Sequence, residues 1–317
     1  MQDGLNFSII TAIIPIYAMV FAGWAVRKIG WLEPQSDKSF MRFAIDVSLP
    51  CFIFYNMLGN ERLRSVEFSL TAISLGAFGI FLCLLIAWIA SVFLKLRVGE
   101  GQRTFVVTTG VNNYGFFLLA LVAILFPDGG ADTLGVMLTH NVGCDLVFWS
   151  VGLTLISAAG RFSPKILLKG PILSVFVALF FVWTGLAEYI PDFVMTSLKM
   201  LGSAAIPLNL IMFGTIMCDL LDFRNFSFKI VGWAVFLRSV FMPSIFIVLA
   251  YFLPVDPSLK VVVALQSLAP CGVTSAVVAK HFGGHPRIAV QITMGTLVAA
   301  VLLAPFWAYL CGKCAGL

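Results

Sequence analysis

Two short interruptions in otherwise uncharged apolar runs hold most of the residues that could do chemistry. Asn112, Asn113, Tyr114 and Gly115 lie in Gly110-Val-Asn-Asn-Tyr-Gly115, which breaks the stretch from Thr104 to Pro127. Pro270, Cys271, Gly272, Thr274 and Ser275 lie in Ala269-Pro-Cys-Gly-Val-Thr-Ser275, which breaks the stretch from Val261 to Ala279. Pro270 removes a backbone donor and the glycines accept unusual backbone angles, so both places free carbonyl and N–H groups from helical pairing. Within a bilayer such groups are tolerated only if buried in protein or lining a wet cavity. The resumed half-helices would aim the partial positive charge of their N-termini at an anion, with Asn112, Asn113, Thr274 and Ser275 as side-chain partners. The competing reading is a pair of kinks whose freed groups are taken up by neighbouring helices.

The two breaks are matched in position. Asn113 and Pro270 are 157 positions apart (270 less 113), and Pro50 and Pro207 share that offset (207 less 50). Pro15 and Pro171, Phe68-Ser69 and Phe226-Ser227, and Gly129-Gly130 and Gly283-Gly284 repeat at nearly the same distance. Asn113 follows Arg103 by ten positions and Pro270 follows Lys260 by ten; at a rise of 1.5 Å per residue both lie roughly 15 Å deep, near the bilayer midplane. Matched broken segments in two halves of a membrane protein point to a transport site at that depth.

Other polar residues inside apolar runs are few. Asp46 precedes Pro50 by one turn, where an ionised carboxylate is expensive unless paired or hydrated; it reads as a proton carrier or cation ligand, or as a carboxylate held by a neighbouring helix. His140, Asn141, Cys144 and Asp145 form a polar island, with Asn141 and Asp145 on one helical face at i and i+4. That face could line a pathway or relay, although a lone histidine such as His140 more often packs and hydrogen-bonds. Arg238 lies deep in its run and must find a partner, with Asp46, Asp145 or a substrate carboxylate as the candidates. Asn209, two residues after Pro207, and Gln266, one turn before Pro270, are further polar liners. No nucleophile with a positioned base and no metal cluster can be assembled from these residues, which argues against an enzyme, and no cofactor is implied beyond a coupling proton or sodium ion.

The elements that must position these groups follow from composition. The chain is 60% hydrophobic and 11% charged, with a mean hydropathy of +1.02, so its long segments need burial on all sides. Runs of about 18 or more apolar residues can cross a hydrocarbon core as helices. Ten fit: Phe7 to Ile29, Gln35 to Leu58, Phe68 to Leu94, Thr104 to Phe126, Asp132 to Ser157, Gly170 to Ile190, Val194 to Met217, Phe228 to Leu253, Ser258 to His281 and Arg287 to Cys311. The sequence thus predicts an all-α integral membrane protein whose main partner is the lipid bilayer. Only Asp3 is charged before Phe7, so the first run reads as a retained span rather than a cleaved signal. With ten spans, fourteen lysines and arginines fall on the connectors of one side and five on the other. This places the richer side in the cytoplasm and both termini outside, in a cell (inner) membrane. The positive charge is therefore a topology signal, and nothing points to nucleic acid. Residues 1–157 form one five-span unit, 158–169 a short cytoplasmic connector and 170–317 a second unit. Five being odd, the second must be inverted relative to the first. Most of the seven cysteines lie within or at the ends of spans, which excludes a disulfide framework; Cys311-Gly-Lys-Cys314 has the spacing of a redox or metal pair but reads as a plain helix end.

Gly110-Val-Asn-Asn-Tyr-Gly, Gly202-Ser-Ala-Ala-Ile-Pro207-Leu, Ala269-Pro-Cys-Gly-Val-Thr-Ser and His281-Phe-Gly-Gly, in that order, resemble the auxin efflux carrier family, including its short bacterial members. The resemblance spans essentially the whole chain. It implies ten helices in two inverted five-helix repeats, split into a scaffold and a transport domain, with the fourth and ninth helices crossing at the substrate site. Asn112, Asn113 and Pro270 would fall at that crossover, with Asp46 and Pro50 on the neighbouring second helix. It also implies a small organic anion, auxin or an acid such as malate or malonate, as substrate, and leaves room for a homodimer. Many relatives have an asparagine followed by proline or glycine where this chain has Asn112-Asn113, so the first break should work through side chains more than through proline-freed backbone. A sodium-coupled symporter similar to the bile acid family, and a receptor that keeps the carrier fold without moving its ligand, are the alternative readings.

Overall fold

A computed structural model describes residues 2–125, 130–157, 170–220 and 226–315. The connector 158–169, Gly129 and Arg224 lie outside the described residues, as do the side chains of Lys280, His281, Lys313 and Cys314. In chain order the helices are α1 (Gln2–Lys28), α2 (Asp37–Leu58), α3 (Val66–Phe93), α4 (Gln102–Gly110), α5 (Phe117–Leu125), α6 (Asp132–Ile156), α7 (Gly170–Trp183), α8 (Asp192–Ser203), α9 (Ala205–Leu220), α10 (Phe228–Phe252), α11 (Pro257–Leu265), α12 (Thr274–Phe282) and α13 (Pro286–Ala315). Among the described residues there is no strand. Among the described residues, six runs are long and apolar enough to cross a membrane: α2, α3, α6, the α8–α9 pair (Asp192–Asp219), α10 and the Pro286–Cys311 part of α13. The α7 helix and Pro257–Leu268 are apolar but shorter.

The surface that these helices present suits lipid. Along α3 alone, Leu70, Phe78, Phe81, Trp88, Val92 and Phe93 are exposed, an apolar face no soluble protein leaves to water. With lipid outside, helix association relies on close backbone approach rather than on the hydrophobic effect, and small residues sit where helices touch. α1 packs along α9, and α3 along α6. A Cβ on Gly23 would stand 2.0 Å from the Ile211 carbonyl oxygen, and one on Gly214 2.0 Å from that of Val20. The same pairing joins α3 to α6: a Cβ on Gly76 would stand 2.0 Å from the His140 carbonyl oxygen, and one on Gly143 1.8 Å from that of Ile73.

Two helices are distorted just ahead of a proline. A π-helical stretch, Ala44–Ser48 in α2, precedes Pro50, and another, Leu237–Phe241 in α10, precedes Pro243. Proline lacks a donor and its ring collides with the carbonyl four residues earlier, so a wider turn there relieves the clash. In α10 the carbonyl freed by Pro243 is that of Ser239, and it accepts a 2.9 Å hydrogen bond from the indole N–H of Trp307. A third π-stretch, Phe148–Gly152 in α6, has no proline after it, and nothing in the structure explains it.

The fourth and ninth expected segments are each broken where the sequence predicts. α4 ends at Gly110 and the chain resumes as α5; α11 continues as a 3-10 turn, Gln266–Leu268, then unwinds before α12.

Candidate functional site

The two unwound stretches meet. Asn112 and Cys271 form an antiparallel bridge, with the Asn113 N–H donating to the Pro270 carbonyl at 2.8 Å and the Gly272 N–H to the Val111 carbonyl at 2.9 Å. A Cβ on Gly272 would lie 3.0 Å from the Asn112 carbonyl oxygen, so a larger residue there would press the two stretches of the crossing slightly apart. The Cys271 N–H donates to Thr296 Oγ1 on α13 at 3.1 Å. Backbone groups freed by the breaks are thus largely paired across the crossing or with adjacent helices, an accounting that buried backbone demands. Part of the kink reading is therefore realised in the backbone, and polar side chains carry the unused capacity.

Two amide orientations are set by their partners. Gln266 donates through Nε2 to the Val262 carbonyl at 3.4 Å, which turns its Oε1 toward Asn112; Asn112 Nδ2 donates to that oxygen at 2.6 Å. Asn112 Oδ1 is then left buried with no hydrogen-bond partner. At Asn113, Oδ1 accepts from the Phe116 and Phe117 N–H groups at 3.3 and 3.4 Å, capping α5. Two backbone donors fix which end of the amide is oxygen, and Asn113 Nδ2 remains buried without a partner. The hydroxyls of Ser275, Thr108 and Thr109 share that condition. Buried polar atoms in native proteins are almost always satisfied, and unmet ones clustered about a break mark a place for water, an ion or a ligand. Thr108 and Thr109 escaped the sequence reading, although Thr108-Thr109-Gly110 directly before the first break is a visible cue.

The polar face of α6 grips Tyr114. Asn141 Nδ2 donates to the Tyr114 carbonyl at 3.2 Å, and the Tyr114 hydroxyl donates to Asp145 Oδ1 at 2.6 Å. The i and i+4 spacing of Asn141 and Asp145 thus holds one residue of the break at both ends. His140 is buried, with Nδ1 3.5 Å from Asn141 Oδ1 and 3.7 Å from Cys144 Sγ. Arg238, 1% exposed, reaches the second break: Nε donates to the Ala269 carbonyl and Nη2 to the Gln266 carbonyl, each at 2.9 Å. Its two N–H···O hydrogen bonds therefore run to main-chain oxygens of α11's broken end.

The remaining candidates make none of these contacts. Asp46 sits in the π-stretch of α2 with its side chain 53% exposed, 3.7 Å from Arg42. Asn209 turns back on its own helix, donating to the Ala205 carbonyl at 2.7 Å. Gly115 has open space beside it, with no atom within 4 Å of a Cβ placed there. Thr274 begins α12, and Cys311 is buried in α13.

The sequence model of one family, described as membrane transport protein, matches residues 8–165 and again 160–308. The chain belongs to the membrane transport protein family. This is the family of the auxin efflux carriers, whose members are transporters rather than enzymes. Membership and the apolar helices together make it a multi-pass, all-helical membrane transport protein. No curated protein matches the chain.

Proposed function

We propose that this membrane transport protein is a secondary carrier for a small organic anion, auxin-like or a mono- or dicarboxylate, that works by alternating access. The observation that carries the reading is the crossover itself: two broken helices joined at Asn113 and Pro270, ringed by buried side-chain donors and acceptors that lack protein partners. Asn112, Asn113, Thr274 and Ser275 are the proposed substrate contacts, with Tyr114, Gly115, Cys271, Gly272, Asn209 and Arg238 in supporting positions. Asp46 serves as the coupling carboxylate, for a proton or sodium ion, and Asp145, Asn141, His140 and Gln266 as the polar relay behind the site.

Ten crossings in two inverted five-helix repeats accommodate both the shared 157-residue offset and the packing. If the sixth segment corresponds to the first and the seventh to the second, the contact of α1 with α9 has its counterpart in that of α2 with α7. Exchanging the conformations of two such halves converts an inward-facing state into an outward-facing one, with one helix bundle moving as an elevator against the other. The positive-residue bias favours an orientation with both termini outside, and in this reading the protein works in the cell (inner) membrane as a homodimer. The test is flux: protein reconstituted in liposomes should move labelled malonate, malate or an indole carboxylate down a proton, sodium or substrate gradient. Failure to move any carboxylate under all three would overturn the proposal. Strict dependence on sodium would replace it with a sodium symporter, and binding without counterflow with a receptor.

A further inference from the structure

Where a helix stops inside a membrane, its last carbonyls form a partially negative end that needs a positive charge. Transport proteins with broken helices commonly meet the need with a bound small cation held by those carbonyls. Here the broken end is the 3-10 turn that extends α11, and two oxygens at it, those of Gln266 and Ala269, converge on one side chain. That side chain is Arg238, carried by the π-stretch of α10. The rest of its surroundings suit a permanent charge with no aqueous face: Cys83 Sγ at 3.9 Å and Met242 Sδ at 3.7 Å from Nη1, and the Phe246 ring with its centroid 5.9 Å from the guanidinium carbon. Soft sulfurs and an aromatic face stabilise a weakly hydrated guanidinium and are poor ligands for a hard alkali ion.

We propose that Arg238 is the resident cation of the crossover: its guanidinium fills the carbonyl cage at the broken end of α11 that a sodium ion would otherwise occupy, so that anion binding there requires no bound alkali ion. This deepens the carrier reading and rests on it only for the identity of the anion. The guanidinium also supplies fixed positive charge beside the break that holds Cys271 and Gly272, which favours a negatively charged ligand without any co-ion. A proton carried elsewhere, at Asp46 for example, can still drive transport.

The experiment measures melting of the purified full-length protein in detergent, in sodium, potassium or choline chloride at equal ionic strength. No ligand is present at first; malonate is then added. For the wild type, the melting temperature should be the same in sodium and choline, and the malonate-induced rise should be equal in both. Arg238→Ala empties the cage. It should melt lower in choline and regain stability in sodium with a saturable dependence, an effect potassium matches poorly. Arg238→Lys keeps a charge at the cage and should remain indifferent to sodium, which serves as the deciding comparison if Arg238→Ala does not fold. A saturable sodium-dependent rise in the wild type overturns the proposal. So does a folded Arg238→Ala that ignores sodium, or an Arg238→Lys that acquires sodium dependence. Because the first readout needs neither substrate nor flux, it can fail while the liposome assay succeeds, and the reverse.

Discussion

In the proposed carrier Asn113 has two separable jobs, capping and ligand binding, and substitution should pull them apart. Its Oδ1 caps α5 through the Phe116 and Phe117 N–H groups, while its Nδ2 is buried without a partner on a residue only 5% exposed. Serine is as good a cap as asparagine, whereas alanine forfeits about 0.5–2 kcal/mol of helix capping. Asn113→Ser should therefore melt at or above the wild-type temperature, since it keeps an acceptor and removes an unmet donor, and Asn113→Ala should melt below it. Both lose the amide donor toward a bound anion. A hydrogen bond to a charged group contributes roughly 1.5–3 kcal/mol, so malonate affinity should fall about 10- to 150-fold in both variants. Thermal melting without ligand and calorimetric titration with malonate, in the same detergent, give the two numbers. Wild-type affinity in Asn113→Ser would refute the assignment of Nδ2 to the ligand. An Asn113→Ala protein as stable as Asn113→Ser would refute the capping argument.

Three further outcomes are expected. Gly23→Ala and Gly214→Ala each push a methyl to 2.0 Å from a carbonyl across the α1–α9 contact, so each should destabilise by about 1–3 kcal/mol; the double variant should lose less than the sum, because helices already forced apart accommodate the second methyl, and strict additivity of melting shifts would count against a shared interface. Asp256, in the loop before α11, is acted on by burial, which raises its acidity constant's pKa, but the Ser258 N–H and hydroxyl and the Arg62 charge outweigh burial and hold the carboxyl below its ordinary 3.8. A depressed folded value stabilises above the unfolded one and is lost as pH falls through the folded value, so the advantage of wild type over Asp256→Asn should be full above about pH 4 and shrink below it; an advantage that grows on acidification would reverse the sign. Asp46→Asn should abolish gradient-driven uptake in liposomes while leaving malonate binding largely intact, and unchanged driven uptake would remove Asp46 from the coupling role.

The crossover was legible in the sequence because it rests on local backbone chemistry. A proline with glycine close by, as in Ala269-Pro-Cys-Gly272, breaks a helix through its own backbone, and the offset between Asn113 and Pro270 paired the right two positions before any contact was visible. Partners across the fold were not legible. Nothing local to Arg238 announces that carbonyls would receive its charge, since those oxygens exist only once α11 ends at a particular residue beside α10. The expectation that freed backbone would greet the ligand looked at each break alone, whereas the two breaks largely satisfy each other. The π-stretches before Pro50 and Pro243 were foreshadowed by the prolines themselves. Gly23, Gly76, Gly143 and Gly214 sit among 27 glycines, and only the packed helices reveal which of them touch a backbone.

The clasp between the two breaks is made of main chain: Asn113 N–H to the Pro270 oxygen, Gly272 N–H to the Val111 oxygen. Any residue but proline supplies the same N–H, and every residue supplies the carbonyl. The geometry of the crossing is therefore indifferent to most side chains it displays, with Gly272 the tightest position. Thr108, Thr109, Asn112 and Ser275 can be exchanged one at a time without unfastening the junction they surround. A lineage of such proteins could retune what it carries by single substitutions, each tried on an intact frame.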